Sequence, residues 1–398
     1  MKILFASDLS FNYIPAFGGK EAARKAFFNT AEYFRAADFS VINLENILGD
    51  RKKYAPIPKS GPNLISDESF IEYLNVLAPT AVGLANNHTR DFGDGAMFNT
   101  VDILKENGYL PFGAGANIKE AYKPVIFEKG GTRVAIFAVC ENEFGIATES
   151  EGGTAGYSLG RVMAALSTAR ADGLLPVIYF HGGNETNPYP SPEKVELYRA
   201  FVDMGAIAVV AMHTHCPQGY EIYKGAPIVY SMGNFFFPKP GFTDTLLPSW
   251  LFGYMSELDI TEGGASLKII PYKFNEDEHT VLSGKELQDF LKYLDYIKAP
   301  IGDGARLLEL FESWCIIAAV GYGKKGGYMN FLDSFTMEKI APDGLKEMCP
   351  IKNLFSCEAH AELLKSAFNL IYSGRLEKAK EGVPEILALR EMKLPRNL

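Results

Sequence analysis

Asp8, Glu45, Asn87, His181, His213 and His215 offer carboxylate, amide and imidazole donors, the ligand set of a borderline-hard divalent cation such as zinc, manganese or iron. Two such cations about 4 Å apart clamp attacking and leaving oxygens, and a water bound to one is acidified to a pKa of roughly 7. Glu45 has two oxygens and reaches both ions. Asn87 binds without neutralising them further and leaves them stronger Lewis acids. His88, beside Asn87, is the candidate proton donor, with Asp91 to orient it. The alternative is that His88 holds its loop through a hydrogen bond to Asp91. His213 and His215 are one residue apart, so in a strand they point the same way. Alone they read as surface or core-edge histidines; with the other four they read as ligands.

Each candidate follows a short apolar run that reads as a strand. Ile3–Ser7 precedes Asp8, Val41–Leu44 precedes Glu45, and Ala81–Ala85 precedes Asn86, Asn87 and His88. Val177–Phe180 precedes His181, Ile207–Met212 precedes His213, and Ile228–Ser231 precedes Asn234. Strand ends of an open α/β sheet aim side chains from distant sequence into one crevice. A further strand is expected at Val134–Val139, and two more between Tyr254 and Tyr272 around the turn Glu262-Gly263-Gly264. Helices are expected at Lys20–Ala37, Glu68–Leu77, Ala96–Glu106, Arg161–Ala171 and Glu193–Met204, where apolar residues recur every three or four positions. Alternating strands and helices predict a layered α/β domain over residues 1–275. From Ser283 the periodicity is helical, which predicts an α-helical extension over 276–398 that supplies no metal ligand.

Around the centre, Asn86, Asn234, Glu185, Arg51 and Lys59 are the candidates for contacting substrate. Arg51, Lys52, Lys53 and Lys59 lie in a Pro/Gly-containing stretch that reads as a mobile basic loop or as a solvated charge run. Glu185 reads as a partner orienting a histidine or as the start of the helix near Ser191-Pro192-Glu193. Cys216 is assigned to core or loop, and His279 and His360 to structural or exposed positions without partners. Gly321 to Gly327 holds four glycines and two lysines but lacks the Lys-Ser/Thr and the strand of a phosphate loop, so it reads as an inter-helix loop.

Over 398 residues, 47% are hydrophobic and the formal charge is -9, which predicts a large core and no general affinity for nucleic acid or anionic membrane. The opening apolar run stops at Asp8, too short for a signal-peptide core, and five scattered cysteines suit a reduced, cytoplasmic protein.

The ordered series Asp8, Asn43-Leu44-Glu45, Asn86-Asn87-His88 with Asp91 and Gly93, His181-Gly182-Gly183-Asn184-Glu185, His213-Thr214-His215 and Ser231-Met232-Gly233-Asn234-Phe235 resembles that of CapA-type proteins. These are associated with poly-γ-glutamate capsule synthesis and are similar to the calcineurin-like metallophosphoesterases. The resemblance implies a four-layer α/β/β/α sandwich with a C-terminal α-helical extension, and a site for one or two divalent metal ions. It makes Asp8, Asn87, His181, His213 and His215 ligands, Glu45 the bridging carboxylate and His88 the leaving-group acid. Ser10 stands where the superfamily usually has a histidine, so the resemblance implies one metal position that is weak, hydrated or empty. The expected activity is metal-assisted hydrolysis of a phosphoester, or of a γ-glutamyl amide, in an anionic small molecule or polymer. The rival expectation is a non-catalytic accessory protein whose metal-supported cleft binds such a polymer or a synthesis partner. The oligomeric state is left open.

Overall fold

Parity along the strands sets the layers. The computed structural model describes residues 1–14, 16–240, 246–326 and 342–395. Strand β1 (Lys2–Leu9) sends Ile3 and Phe5 into one hydrophobic cluster and Leu4 and Ala6 into another. In β2 (Phe39–Leu44), Val41 joins the first cluster, while Ile42 and Leu44 join the second. Ala81 and Val82 of β3 (Ala81–Gly83) divide the same way. A strand's two-residue period puts alternate side chains on opposite faces, so this sheet is covered on both.

The remaining principal strands are β4 (Leu110–Phe112), β5 (Val125–Lys129), β6 (Thr132–Cys140), β7 (Leu175–His181), β8 (Ala208–Met212), β9 (Tyr220–Tyr223) and β10 (Ala226–Val229). They are followed by β11 (Asn234–Phe236), β12 (Phe252–Thr261), β13 (Gly264–Phe274) and β14 (His279–Val281). The first sheet has eight strands in the order β14-β13-β12-β1-β2-β3-β4, with β11 pairing onto β1. The second has six, in the order β9-β10-β8-β7-β6-β5. The centre of each is parallel, so the C-terminal ends of β1, β2 and β3, and of β6, β7 and β8, open on a common side within their sheets.

One cluster joins Ile3, Phe5 and Val41 to the second sheet. Tyr179 fixes the spacing there: its hydroxyl donates to the Ala6 carbonyl at 2.5 Å. A Cβ on Gly83 would lie 2.9 Å from its ring, so only glycine admits this approach. On the outer face of the first sheet lie α1 (Gly19–Ala26), α2 (Ala31–Ala36), α3 (Ile71–Leu77) and α4 (Gly93–Glu106), burying Ala23, Phe34, Leu74 and Leu104. On the second sheet, α5 (Leu159–Ala171) and α6 (Pro192–Asp203) bury Val162, Leu166, Val195 and Phe201. The result is the expected helix, sheet, sheet, helix sandwich.

The C-terminal part adds α7 (Gly284–Lys298), α8 (Gly304–Gly326), α9 (Pro342–Ser356), α10 (Glu358–Tyr372) and α11 (Val383–Arg390). Phe290, Leu294, Leu310, Phe311 and Trp314 extend the inter-sheet cluster, so these helices are continuous with the main core. No described helix is long and apolar enough to cross a membrane.

The structure departs from expectation at three places. The Lys20–Ala37 segment is two helices, because Phe27 turns inward against Phe235 and Phe236 and Thr30 bonds the His279 ring at 2.7 Å. That histidine, expected to lack a partner, sits on β14, which carries the first sheet past residue 275; burial pushes its pKa down to about 3. Gly321 to Gly326 continue α8 instead of forming a loop, and Gly327 lies outside the described residues.

Candidate metal centre

Asp8, near the end of β1, is fully buried. Its Oδ1 accepts from the Asn43 amide at 2.8 Å and lies 3.5 Å from His181 Nδ1, while Oδ2 accepts the His213 backbone N–H at 3.0 Å. Burial opposes its ionisation, but hydrogen bonding to and attraction by His181, with His215 and Asn43, hold its carboxyl below the usual range.

Glu45 follows β2 directly and neither of its buried carboxylate oxygens has a hydrogen-bond partner. Imidazoles surround one of them: Oε1 is 3.7 Å from His181 Nε2, 3.8 Å from His215 Nε2 and 4.0 Å from His88 Nε2. Burial, then the charges of Asp8 and Glu185, push its carboxyl well above the ordinary value. An unpaired buried carboxylate is costly. Donors that share one cation at roughly 2.0–2.2 Å stand about 3–4 Å apart, the spacing seen here. Glu45, His181 and His213 form one set of converging donors, and Asp8, Glu45 and His215 a second, with donor atoms in each set within 4.8 Å of one another. Asn87 Oδ1 adds to the first at 3.2 Å from His181 Nε2. The residues present therefore fit one or two divalent cations, with Glu45 common to both sets. No residue of the C-terminal helices belongs to either set among the described residues. Ser10 is buried beside this region, its hydroxyl also without a hydrogen-bond partner.

The two histidines after β8 reach the centre differently from the expected strand geometry. The strand ends at Met212, and His213 and His215 take φ values of 98° and 55°. A positive φ strains a residue with a Cβ, and such strain collects at functional sites where surrounding bonds over-determine it. Here the bonds are His213 N–H to Asp8 and Thr186 N–H to the Thr214 carbonyl at 2.7 Å. The His215 ring stacks on Phe237 and packs against Trp250, with centroids 5.5 and 4.5 Å away. Its Nδ1 lies 2.8 Å from Asn234 Oδ1, and donation there keeps the Nε2 lone pair facing Glu45. Burial pushes its pKa down to about 4.

His88 and Asp91 form the expected pair, with Nδ1 2.7 Å from Oδ2. Lys59 is not on a mobile basic loop: it is buried, with its ammonium 2.6 Å from Asp91 Oδ1 and 2.9 Å from the Asn87 carbonyl. Its charge serves Asp91. Burial and Lys59 lower the His88 pKa; Asp91 is held low against burial by His88 and Lys59.

The other proposed substrate contacts fall in varied places. Asn86 spends its amide on Asn43, the Leu44 carbonyl and the His88 N–H, and Asn234 spends its own on His215 and the Trp250 carbonyl. Arg51 donates to Asn12 Oδ1 at 3.1 Å and lines a cleft of about 570 Å³ whose walls include none of the six cluster residues. Glu185 is open to solvent and is not a helix start, since α6 begins at Pro192 with Ser191 as its cap. Desolvation by the surrounding protein opposes its charge, but attraction by His215, His213 and His360 holds its carboxyl low, so His360 has a neighbour after all. Cys216 is buried, its thiol donating to the Asn187 carbonyl.

Two residues enter the neighbourhood unannounced. Glu143 Oε1 stands 3.8 Å from His213 Nε2. It lies four residues past Val139, beyond Glu141, the carboxylate that the strand-end rule reaches first. Lys239 is half-buried, its ammonium 3.7 Å over the Trp250 ring and 5.6 Å from Phe237, the two rings that also flank His215. Burial lowers its pKa, while the carboxylates of Glu185 and Glu45 act the other way.

Two mixed sheets between helices, with a buried carboxylate and imidazole cluster beyond the strand ends, define the class: a four-layer α/β/β/α sandwich with a candidate metal centre. Within it the chain belongs to the family described as bacterial capsule synthesis protein PGA_cap, whose model matches residues 8–239. The capsule biosynthesis protein CapA of Bacillus anthracis is 29% identical over 258 residues, covering 63% of this chain and 61% of that protein. The PGA biosynthesis protein CapA of Bacillus subtilis (strain 168) is 27% identical over 245 residues, 61% of this chain and 64% of its own length. A probable polyglutamine synthesis accessory protein of Mycobacterium tuberculosis is 26% identical over 218 residues, 50% and 55% of the two lengths. The chain thus spans less than two thirds of the curated relatives it matches. The crystal structure of TT1561 of Thermus thermophilus aligns with 67% of this chain and 98% of its own at 15% identity and a TM-score of 0.35, which adds nothing to the layers read from the sheets. The family description names bacterial capsule synthesis, and the Bacillus subtilis relative is named for PGA biosynthesis.

Proposed function

We propose that this chain is a cytoplasmic, metal-dependent hydrolase of phosphoesterase type, acting on an anionic substrate in poly-γ-glutamate or capsule metabolism. One observation carries the reading: the partnerless carboxylate of Glu45, buried with three imidazole nitrogens 3.7 to 4.0 Å from one of its oxygens. That arrangement is costly by itself and favourable around a cation. Asp8, Glu45, Asn87, His181, His213 and His215 hold one or two ions of manganese, zinc or iron. Such ions supply Lewis-acid polarisation of the scissile bond and a water acidified to a pKa of about 7.

The chain's own groups do the rest. His88 donates a proton to the leaving group from Nε2, while Asp91 holds its Nδ1 and fixes the ring. Lys59 keeps Asp91 ionised, and Lys239 offers the anionic substrate a cation near the cluster. Trp250 and Phe237 wall His215 and limit water around it. The test is metal analysis of the purified protein, then assay with manganese or zinc against aryl phosphodiester, aryl phosphomonoester and γ-glutamyl anilide substrates. Metal with turnover supports the reading. Full metallation without turnover of any of them rejects hydrolysis in favour of an accessory that only binds polymer.

A further inference from the structure

The turn after β6, Glu141-Asn142-Glu143, borders the cluster and takes no part in the chemistry proposed for it. Each of its residues is held by a different residue of the C-terminal part. Glu141 Oε2 accepts the Cys357 thiol at 3.6 Å and the Gly183 N–H at 3.0 Å, while its other oxygen pairs with Lys194. Asn142 donates its backbone N–H and its amide to the Glu358 carboxylate at 3.0 and 2.5 Å. Glu143 accepts from the Asn353 amide on Oε2 at 3.1 Å, and its carbonyl accepts the Lys352 ammonium.

With Oε2 tied to α9, the other oxygen of Glu143 is turned toward His213 Nε2 at 3.8 Å, the same spacing as Glu45 Oε1 to His215 Nε2. Glu143 is buried, and its charge acts on both Glu45 and His88, so it faces the cleft. A carboxylate needed only to dock a helix has no reason to aim its second oxygen at a candidate ligand.

We infer that Glu143 braces His213 for the ion this histidine helps to hold: His213 Nδ1, 3.0 Å from His181 Nε2, is the nitrogen turned into the cluster, Glu143 faces the opposite Nε2, and Asn353 and Glu358 position its carboxylate from the C-terminal helices. This rests on the metal-centre reading above. The C-terminal helices are then a part of the centre, acting through the turn they hold, although no residue of theirs lies in the two converging donor sets.

The experiment uses the full chain stripped of metal and titrated with manganese or zinc alone, reading bound metal by elemental analysis and affinity by calorimetry. Glu143→Gln keeps an acceptor for Asn353 and removes the charge. It should weaken binding of the more loosely held ion by about 10–100-fold, while the unfolding temperature of the metal-free protein stays at the wild-type value. Asn353→Ala leaves the carboxylate but frees it, and should weaken the same ion by a smaller factor. Wild-type affinity and stoichiometry in Glu143→Gln would overturn the inference while leaving the metal centre intact. A wild-type protein that takes up neither metal would overturn the centre itself and the inference with it. Should Glu143→Gln fail to fold, unchanged affinity in Asn353→Ala would still reject the positioning role.

Discussion

His88 stands between two carboxylates that need it differently: Asp91 Oδ2 is 2.7 Å from its Nδ1, and Glu45 Oε1 is 4.0 Å from its Nε2. The first contact is a hydrogen bond and the second is too long for one. The ring is thereby oriented by Asp91 and directed at the cluster without being bonded to it.

For His88→Ala, metal content and substrate affinity should stay close to wild type. Turnover of a substrate with a poor leaving group should fall by about 10²–10⁴-fold, and that of an activated aryl ester far less, because an aryl oxide departs without a proton. Equal losses on both substrates reject the acid role. Loss of metal makes His88 a ligand.

Replacement of Glu45 by Gln should act in opposite directions on the two forms of the protein. The metal-free variant no longer holds a buried carboxyl whose ionisation its surroundings oppose, and should be more stable than metal-free wild type by about 1–3 kcal/mol. Added manganese or zinc, which raises the wild-type unfolding temperature by binding the folded state, should raise the variant's much less. Calorimetric scans with and without metal decide it, and an equal rise in both proteins excludes Glu45 from the centre.

Lys239→Met preserves an apolar stem over Trp250 and removes the ammonium. With an anionic substrate KM should rise on the order of tenfold at low ionic strength with kcat little changed, and the gap to wild type should narrow as salt screens the charge. A fall in kcat alone would move Lys239 from binding to the chemical step.

Glu362 on α10 gives the docking of the C-terminal helices a pH dependence. Its carboxylate accepts the Ser191 hydroxyl at 2.5 Å and the Glu193 N–H at 3.2 Å. Burial nevertheless pushes its pKa from 4.5 up to about 7, with Glu193 adding to the rise and Ser191 opposing it. A carboxyl with a raised folded-state pKa binds more protons folded than unfolded. Its contribution is fully present below pH 4.5 and is lost as pH rises through 7, about 3 kcal/mol in all. Denaturant titrations between pH 5 and 8 should show Glu362→Gln with a smaller loss of stability toward alkaline pH than wild type. Parallel profiles would mean that Glu362 is ionised throughout.

The sandwich and six of the cluster residues were legible because one local rule generates both: a short apolar run makes a buried strand, and the polar residue after it stands at the strand's mouth. Asp8, Glu45 and His181 obey that rule directly. His213 and His215 do so only through a left-handed backbone that local sequence does not announce, since neither is glycine. Lys59 was misread because its partner Asp91 lies 32 residues away and a buried ion pair leaves no periodic trace. Glu143 lies beyond the carboxylate that its strand's end reaches first, and the amide that turns it is 210 residues distant. The break between α1 and α2 depends in the same way on His279, 249 residues from Thr30.

The distance between Asn142 and its clamp, Glu358, is 216 residues. A ribosome lengthens a chain by about 5–20 residues per second, so His215 emerges on the order of ten seconds before Glu358 exists. During that interval the nascent strand ends already present their imidazoles and carboxylates, while the turn bearing Glu143 has nothing to grip. Assembly of this centre therefore has an order in time, and a stretch of polypeptide made late is the one that locks a turn made early.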